Sequence, residues 1–278
     1  MRPQELSVVL TGAAGGIGAA LAAVLARAGA RVLLVGRRGP PLAALAESLG
    51  ACTRTLRVQA LAADITTAAG RAAIRDIAAA RGCNALVNNA ALPCFGSFAD
   101  AEAEQIDAVL QTNLVAPIQL TLALLPQLRM QPTARVLNIG SASGRVGVPG
   151  FAVYGAGKFG LRGFSETLRR ELADTSVRVQ YLGPRATRTG FNDARADDFN
   201  RRTRTAVDAP EVVAEAALKL LCSGDAEKFL GFPESIAVRI NGLAPRLLDR
   251  VFAPHRAALH SAAGADHDPP STTESQHV

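Results

Sequence analysis

A regular alternation of short apolar segments and longer alanine-rich segments runs through the first two thirds of the chain. The first apolar segment, Leu6–Thr11, carries no charge, which is typical of a strand covered on both faces of a parallel sheet. The next segment, Gly16–Ala28, has a helical length, and Gly29 follows it as a residue common at helix C-termini. This alternation predicts an α/β fold, a doubly wound parallel sheet with helices on both faces.

The alternation continues as far as Leu182. Further strands are predicted at Arg31–Gly36, Arg57–Ala62, Ala85–Asn88, Arg135–Gly140 and Val177–Leu182. Further helices are predicted at Pro41–Leu49, Thr67–Ala80, Glu102–Met130 and Tyr154–Thr175. Because ligands bind beyond the carboxyl ends of such strands, residues that follow the strands are the candidates for function.

The pattern becomes less regular after Leu182. The charged segment Asn192–Ala206 is expected to be mobile and to cover the crevice, and Pro210–Leu221 is expected to be helical. An amphipathic helix is predicted within Glu234–Phe252, packed on the core or a second subunit rather than on a membrane. We expect one catalytic domain over residues 1–255, with substrate segments at 185–206 and 234–252, and a disordered polar tail at 256–278.

Composition narrows the class of protein. Hydrophobic residues make up 49% and charged residues 19% of the 278 residues, which predicts a soluble globular chain. The formal charge of +6 is not organised as a basic run with interleaved aromatics, so no nucleic-acid binding is expected. The four cysteines lack metal-ligand spacing, so we expect no metal site and a reducing, cytoplasmic location. No signal-peptide or transmembrane pattern is recognised.

A glycine-rich loop joins the first strand to the first helix. It contains Gly12, Gly15, Gly16, Ile17 and Gly18. Glycines permit a tight turn and let backbone N–H groups approach a pyrophosphate, while the helix N-terminus adds partial positive charge. The loop therefore predicts a dinucleotide site.

Two arginines follow the second strand, where NAD-selective sites usually carry an acidic residue. Arg37 and Arg38 stand there, and no Asp or Glu occurs between Glu5 and Glu47. A guanidinium can pair with the 2′-phosphate of NADP by charge-assisted hydrogen bonds. The sequence therefore favours NADP(H) over NAD(H) as the cofactor.

Tyr154 and Lys158 lie four residues apart on a predicted helix and so share one face. A free phenol has a pKa of about 10, and a nearby ammonium should lower it, which would suit the phenol to acid–base catalysis. Ser141 follows the fifth strand and faces the same crevice, where its hydroxyl could orient a substrate oxygen. Asn113 lies inside a predicted helix, where Asn is a mediocre helix former.

These residues occur in the order and spacing of the short-chain dehydrogenase/reductase family, which the chain resembles over roughly residues 6–190. The resemblance rests on the glycine loop, Asn88-Asn89-Ala90-Ala91, Asn113, Ser141, Tyr154 and Lys158. It implies a Rossmann-like fold, hydride transfer between nicotinamide and a small carbonyl or alcohol, and a homodimer or homotetramer formed through the helices at Glu102–Met130 and Tyr154–Thr175.

The resemblance also implies a role for each site residue. Tyr154 would be the acid/base, Lys158 would bind the nicotinamide ribose, Ser141 would position the substrate, and Asn113 would hold a water for proton relay. The expected cofactor contacts are Gly12, Gly15, Gly16, Ile17, Gly18, Arg37, Arg38, Asp64, Ile65, Asn88, Ala90, Tyr154, Lys158, Pro184 and Thr189.

The chain departs from the family pattern at two positions. Ala91 replaces a glycine after Asn-Asn-Ala, and Arg185 replaces the glycine that usually follows Pro184. Arg185 is therefore expected near the nicotinamide or the substrate entrance, which puts the Thr189 contact in doubt.

Three other classes of function can be compared with the sequence: an epimerase or dehydratase, a dinucleotide sensor and a serine hydrolase. The spacing of Gly12, Gly15 and Gly18 also fits longer relatives, many of them sugar-nucleotide epimerases or dehydratases, although little chain remains after residue 190 for a substrate domain. A non-catalytic dinucleotide sensor would not need the Tyr–Lys pair. A serine hydrolase is excluded because no Gly-x-Ser-x-Gly occurs and every histidine lies at or beyond His255.

Overall fold

The computed structural model describes residues 1–53, 57–231, 241–242, 244 and 246–264, and these contain a seven-stranded parallel sheet. The strands are β1 (Ser7–Thr11), β2 (Arg31–Gly36), β3 (Val58–Ala62), β4 (Ala85–Asn88), β5 (Ala134–Ile139), β6 (Val177–Gly183) and β7 (Glu227–Phe229). They lie in the order β3-β2-β1-β4-β5-β6-β7. The chain moves outward from β1 to β3 and then returns to β4 on the other side of β1, which creates a switch point where such sheets bind ligands.

Helices cover both faces of this sheet, so the predicted doubly wound fold is confirmed. They are α1 (Gly16–Arg27), α2 (Gly39–Thr53), α3 (Ala68–Ala80), α4 (Ala103–Leu110), α5 (Ala116–Arg129), α6 (Ala152–Glu171), α7 (Ala194–Arg202) and α8 (Pro210–Ser223). A π-helical turn, Gln111–Val115, joins α4 to α5. Short helices follow at Arg246–Asp249 and Ala253–Gly264.

The alternating side chains of the central strands supply two hydrophobic cores. Val8 and Leu10 of β1 face the core formed with α1 and α8, whereas Val9 faces the core formed with α3 and α5. All three side chains are fully buried. Burying such a side chain contributes about 1.5–3 kcal/mol, so the apolar strand recognised in the sequence holds both helical layers in place.

The α4–α5 region is long and apolar enough to span a membrane by length and composition, with a hydropathy of 1.5 over Ala103–Arg129. Ala116, Leu120, Leu124 and Leu128 of α5 are, however, fully buried against the sheet. An apolar face packed in this way is what a core helix requires.

The structure differs from the sequence-based expectation after β6. Asn192–Ala206, expected to be a mobile segment over the crevice, lines the crevice and contains α7. This helix is capped by Asp193, whose carboxylate accepts a hydrogen bond of 2.7 Å from the N–H of Ala196. Ala196 and Phe199 are buried, whereas most of the charged residues face outward. The sequence pattern therefore did not predict the apolar stripe of the otherwise charged helix α7, nor the short strand β7.

The C-terminal part also differs from expectation. The predicted domain boundary at residue 255 falls inside the helix Ala253–Gly264, so the first part of the expected tail is helical. Residues 265–278 lie outside the described residues. Of the predicted amphipathic segment at 234–252, only 241–242, 244 and 246–252 are described.

Candidate active site

A crevice of about 1120 Å³ lies at the carboxyl ends of the strands, over the switch point between β1 and β4. Typical small-molecule pockets measure about 300–1,000 Å³, so this crevice can hold a dinucleotide together with a substrate. Of the predicted site residues, Gly12, Gly15, Gly16, Ile17, Gly18, Arg37, Arg38, Asp64, Ile65, Ala90, Ser141, Tyr154, Lys158, Pro184 and Thr189 line it. Asn88 and Asn113 are not among its lining residues.

The glycine loop is shaped by close approach of backbone. Gly12 has a φ of +64°, and a Cβ there would come within 2.8 Å of the Cα of Ala90. A Cβ at Gly16 would collide with the side chain of Thr189, whereas one at Gly15 would lie 3.4 Å from the nearest backbone oxygen. The structure therefore requires glycine at 12 and 16, which is the spacing of the short-chain family. Such a cradle of exposed backbone N–H groups at the start of α1 fits a pyrophosphate.

The end of β2 presents two cations to the crevice. Arg37 and Arg38 are both exposed, and neither guanidinium hydrogen-bonds to another described residue. Burial would raise the pKa of the nearby Asp64 carboxyl, but hydrogen bonds from Thr66 and the charge of Arg37 outweigh that effect and lower the pKa. Asp64 thus stays ionised beside the arginines.

Asn88, the last residue of β4, and Asn89, which follows it, have different surroundings. The side-chain amide of Asn88 is buried and donates to Thr121 Oγ1 at 3.1 Å and to Asn138 Oδ1 at 2.8 Å. Asn89 lines the crevice and donates to the carbonyl oxygens of Thr11 and Gly12, at 2.9 and 3.1 Å. Asn88 therefore joins the sheet to the helical layer, and Asn89, which the sequence analysis did not select, supports the glycine loop.

Ser141, Tyr154 and Lys158 come together at the bottom of the crevice. The Ser141 side chain lies close enough to the phenol of Tyr154 to favour the phenolate. The Ser141 hydroxyl accepts a hydrogen bond from the N–H of Ser143 at 3.0 Å. Lys158 lies one turn after Tyr154 on α6, with its Nζ 5.6 Å from the Tyr154 ring centroid. That Nζ donates to the carbonyl oxygen of Ile139 at 3.0 Å. The grouping expected from the sequence is thus present.

The electrostatics of this group differ from the expectation. Burial raises the pKa of Tyr154 to about 12, and the nearby polar side chain of Ser141 offsets only part of that effect. Burial also lowers the pKa of Lys158 to about 8, since a buried ammonium loses its hydration. The expected lowering of the phenol pKa by Lys158 is therefore wrong for the protein alone, in which desolvation dominates.

Asn113 lies in the π-helical turn between α4 and α5. Its side chain is buried, accepting from the N–H of Leu92 at 2.7 Å and donating to the carbonyl of Leu92 at 2.9 Å. The amide is thus occupied in fixing the segment that follows Ala90 and Ala91. A water held for proton relay could use only the second N–H or the second lone pair of this amide, or backbone atoms of the π-helical turn.

Tyr181 is a site residue that the sequence analysis did not identify. It lies on β6 with 2% of its surface exposed, and its hydroxyl accepts from the N–H of Ser141 and donates to the carbonyl of Ser141, both at 3.1 Å. Gly140 and Gly144 leave room for the phenol, because a Cβ at either position would collide with it. Nothing in the local pattern distinguishes this tyrosine from any other apolar strand residue.

Arg185 and Thr189 follow β6 and form one side of the crevice. Arg185 pairs with Asp208 at 2.7 Å, and the backbones of Ala186 and Arg188 hydrogen-bond to Asp208 at 2.9 and 2.8 Å. The two ends of the segment from Ala186 to Asp208 are therefore held together by hydrogen bonds, so that the segment is closed at its base. Thr189 packs directly over Gly16.

No group of three or more His, Cys, Asp or Glu side chains that could hold a metal ion occurs in the described ranges. A glycine cradle at the switch point, with Tyr and Lys one helical turn apart beside it, defines a dinucleotide-binding α/β protein. Its family follows from comparison with known proteins.

A family model described as short chain dehydrogenase matches residues 7–200. Nodulation protein G of Rhizobium sp. (strain N33) is 35% identical over 202 residues, covering 72% of this chain and 79% of that protein. A short-chain dehydrogenase from Sphingobium yanoikuyae, solved in complex with NADPH, is 28% identical with a TM-score of 0.73 and covers 98% of each chain.

A short-chain dehydrogenase/reductase from Burkholderia phymatum, solved with NAD, shares the fold with a TM-score of 0.80 at 23% identity, covering 89% of this chain and 96% of that one. The chain belongs to the short-chain dehydrogenase/reductase family. It is therefore an oxidoreductase of the kind that uses a nicotinamide cofactor and acts on alcohol or carbonyl groups.

Proposed function

We propose that this protein is an NADP(H)-dependent oxidoreductase that reduces a carbonyl compound, with Tyr154 as the general acid. One observation carries the proposal. The phenol of Tyr154, the hydroxyl of Ser141 and the ammonium of Lys158 meet in the crevice that the glycine loop also lines. When bound, NADPH supplies the hydride and NADP⁺ accepts one.

The cofactor preference rests on charge at the end of β2. Arg37 and Arg38 line the crevice, are exposed, and follow a strand that ends without an acidic side chain. A 2′-phosphate would gain a charge-assisted hydrogen bond from a guanidinium there. Gly12, Gly16 and the first turn of α1 would hold the pyrophosphate through their backbone N–H groups.

Tyr154 moves the proton. With a pKa of about 12 its phenol is protonated at pH 7, so it is ready to donate its proton to a substrate carbonyl oxygen. The O–H bond breaks and a new O–H bond forms on the substrate, which becomes an alcohol as the phenol becomes a phenolate. Lys158, on the same helix face, stabilises that negative charge when its amine is protonated.

Ser141 positions the oxygen that receives the proton. Its side chain lies close enough to the phenol of Tyr154 to lower the pKa of that phenol, so a substrate oxygen bound between the two would contact both hydroxyls. Tyr181 and Ser143 hold the backbone and hydroxyl of Ser141 in place. A proton donor fixed in this way contributes typically 10²–10⁴-fold to a rate.

Tyr154→Phe tests the proposal. It removes the transferable proton and little else, so we expect kcat for NADPH oxidation with a panel of ketones to fall by roughly 10²–10⁴-fold. NADPH binding, followed by the fluorescence of the nicotinamide, should stay within about two-fold. A variant that keeps wild-type turnover would show that another group donates the proton.

A further inference from the structure

Phenylalanine is concentrated on one side of the crevice. The chain has ten phenylalanines and only 4% aromatic residues. Five of the ten line the crevice, and we refer to them as the aromatic wall: Phe95, Phe151, Phe191, Phe199 and Phe252. They come from the segment after β4, the start of α6, the α7 region and the C-terminal part, so four separate stretches of sequence meet there.

Three rings of the wall contact one another, and two rings of the wall contact Tyr154. Phe95, Phe151 and Phe199 form a triangle with centroid distances of 5.0, 5.0 and 6.0 Å. Phe151 and Phe191 both lie beside Tyr154, with ring centroids at 6.2 and 6.1 Å from that of Tyr154. A group attached to a carbonyl that reaches Tyr154 would therefore contact these rings.

The wall is only partly buried, which leaves apolar ring surface facing the crevice. Phe199 is 2% exposed, but Phe95, Phe151, Phe191 and Phe252 all retain accessible surface. Ring faces that line a pocket in this way recognise apolar groups by burial and by offset or edge contacts with other rings.

Two polar neighbours of the wall carry little net charge, while Asp193 and Arg204 of the α7 region also line the crevice. His255 packs against Phe199 and Phe252 at 5.7 and 4.9 Å, and burial lowers the pKa of its imidazole, which is therefore neutral at pH 7. Arg185 is paired with Asp208, so their charges largely cancel. The strongly cationic end of the crevice is the opposite one, at Arg37 and Arg38.

We infer that the substrate is a ketone, or the corresponding alcohol, whose carbonyl bears a large apolar group that packs against the aromatic wall. This inference rests on the proposed function and specifies the substrate class of the same site. A polyhydroxylated ketone fits poorly, because its hydroxyls would lose water against rings that offer no hydrogen-bond partner.

Binding of two probe ketones to the full chain tests the inference without relying on turnover. Benzylacetone, which carries a phenyl group, and erythrulose, which carries hydroxyls, are each titrated calorimetrically in the presence of NADP⁺. The oxidised cofactor cannot reduce either ketone, and any oxidation of the erythrulose hydroxyls would be detected by the fluorescence of the NADPH formed, so binding can be measured separately from turnover. We expect benzylacetone to bind at least ten-fold more tightly than erythrulose.

The variants Phe95→Asn and Phe98→Asn form a matched pair on one loop. Phe95 belongs to the wall, whereas Phe98 is 66% exposed and lies outside the crevice lining. We expect Phe95→Asn to weaken benzylacetone binding roughly ten-fold and Phe98→Asn to leave it unchanged, with NADPH affinity unaltered in both. Phe252→Ser offers a second wall variant in case Phe95→Asn folds poorly.

Two outcomes overturn the inference. One is erythrulose binding as tightly as benzylacetone, and the other is an equal effect of the Phe95 and Phe98 variants. Failure of the proposed function would give a different result. Benzylacetone would bind more tightly than erythrulose, but neither ketone would be reduced when NADPH is supplied.

Discussion

Replacing Tyr181 by phenylalanine removes one buried hydroxyl that holds the backbone of Ser141 from two sides. The carbonyl of Ser141 keeps a second partner, since the N–H of Gly144 donates to it at 2.9 Å. The N–H of Ser141 loses its only described partner, and a buried donor left unsatisfied costs about 1–3 kcal/mol. We therefore expect Tyr181→Phe to lower the free energy of unfolding by about that amount, or Tm by roughly 2–12 °C.

The same change should loosen the hydroxyl of Ser141 beside Tyr154. Small misplacements of a positioning group can cost up to about 10²-fold in rate, so we expect kcat/KM to fall by roughly 10–100-fold. Denaturant unfolding measures the first effect, and steady-state NADPH oxidation measures the second. Tyr154→Phe is the internal comparison, because there we expect lost turnover with little loss of stability.

A double-mutant cycle separates positioning from a general structural effect. If Tyr181 acts through Ser141, Tyr181→Phe should reduce kcat/KM by less than about two-fold in a Ser141→Ala background. An equal loss of kcat/KM in the wild-type and Ser141→Ala backgrounds would show that Tyr181 does not act through Ser141. Unchanged stability in the single variant would refute the reasoning about the buried N–H.

The remaining predictions concern the cofactor and the buried lysine. Arg37→Ala should weaken NADPH binding at least ten-fold and NADH binding far less, by fluorescence titration; an equal loss for both cofactors would reject the phosphate contact. The pKa of Lys158 is about 8 in the folded protein and about 10.5 when unfolded, so the folded state binds fewer protons between these values and stability rises with pH there. Urea unfolding should therefore show that the free energy of unfolding of the wild type rises by about 2 kcal/mol between pH 7 and 9.5 relative to that of Lys158→Met. The same pH dependence in both proteins would contradict a buried ammonium.

Much of the fold could be predicted because it depends on local pattern. Short apolar strands alternating with helices are a local pattern, and the first six strands, β1 to β6, were predicted from it. The glycine loop after β1 is also local, and it predicted the position of the dinucleotide crevice. The proximity of Tyr154 and Lys158 could also be predicted from local spacing, since one helical turn places both on a single face.

The features that sequence reasoning missed depend on contacts between distant segments. Tyr181 becomes a support for Ser141 only because β5 and β6 are neighbours, and two glycines forty residues away leave room for its ring. Phe199 lies in a charged segment. Its place on an apolar stripe becomes apparent only when that segment is known to be the helix α7. The direction of the pKa shift of Tyr154 was wrong because burial, which spacing cannot reveal, outweighs the effect of the nearby lysine.

The closed base of the segment between Ala186 and Asp208 has a consequence for engineering. The two ends are joined to each other by backbone hydrogen bonds, and Arg185 pairs with Asp208, so the segment begins and ends at one place beside the sheet. Its inner side chains, among them Phe191 and Phe199, pack back on the crevice. Such an insert can be exchanged as one piece, in the way that a hypervariable loop is grafted onto an antibody framework. Transplanting a relative's segment between these two residues should change what the enzyme accepts while the proton-transfer group stays intact.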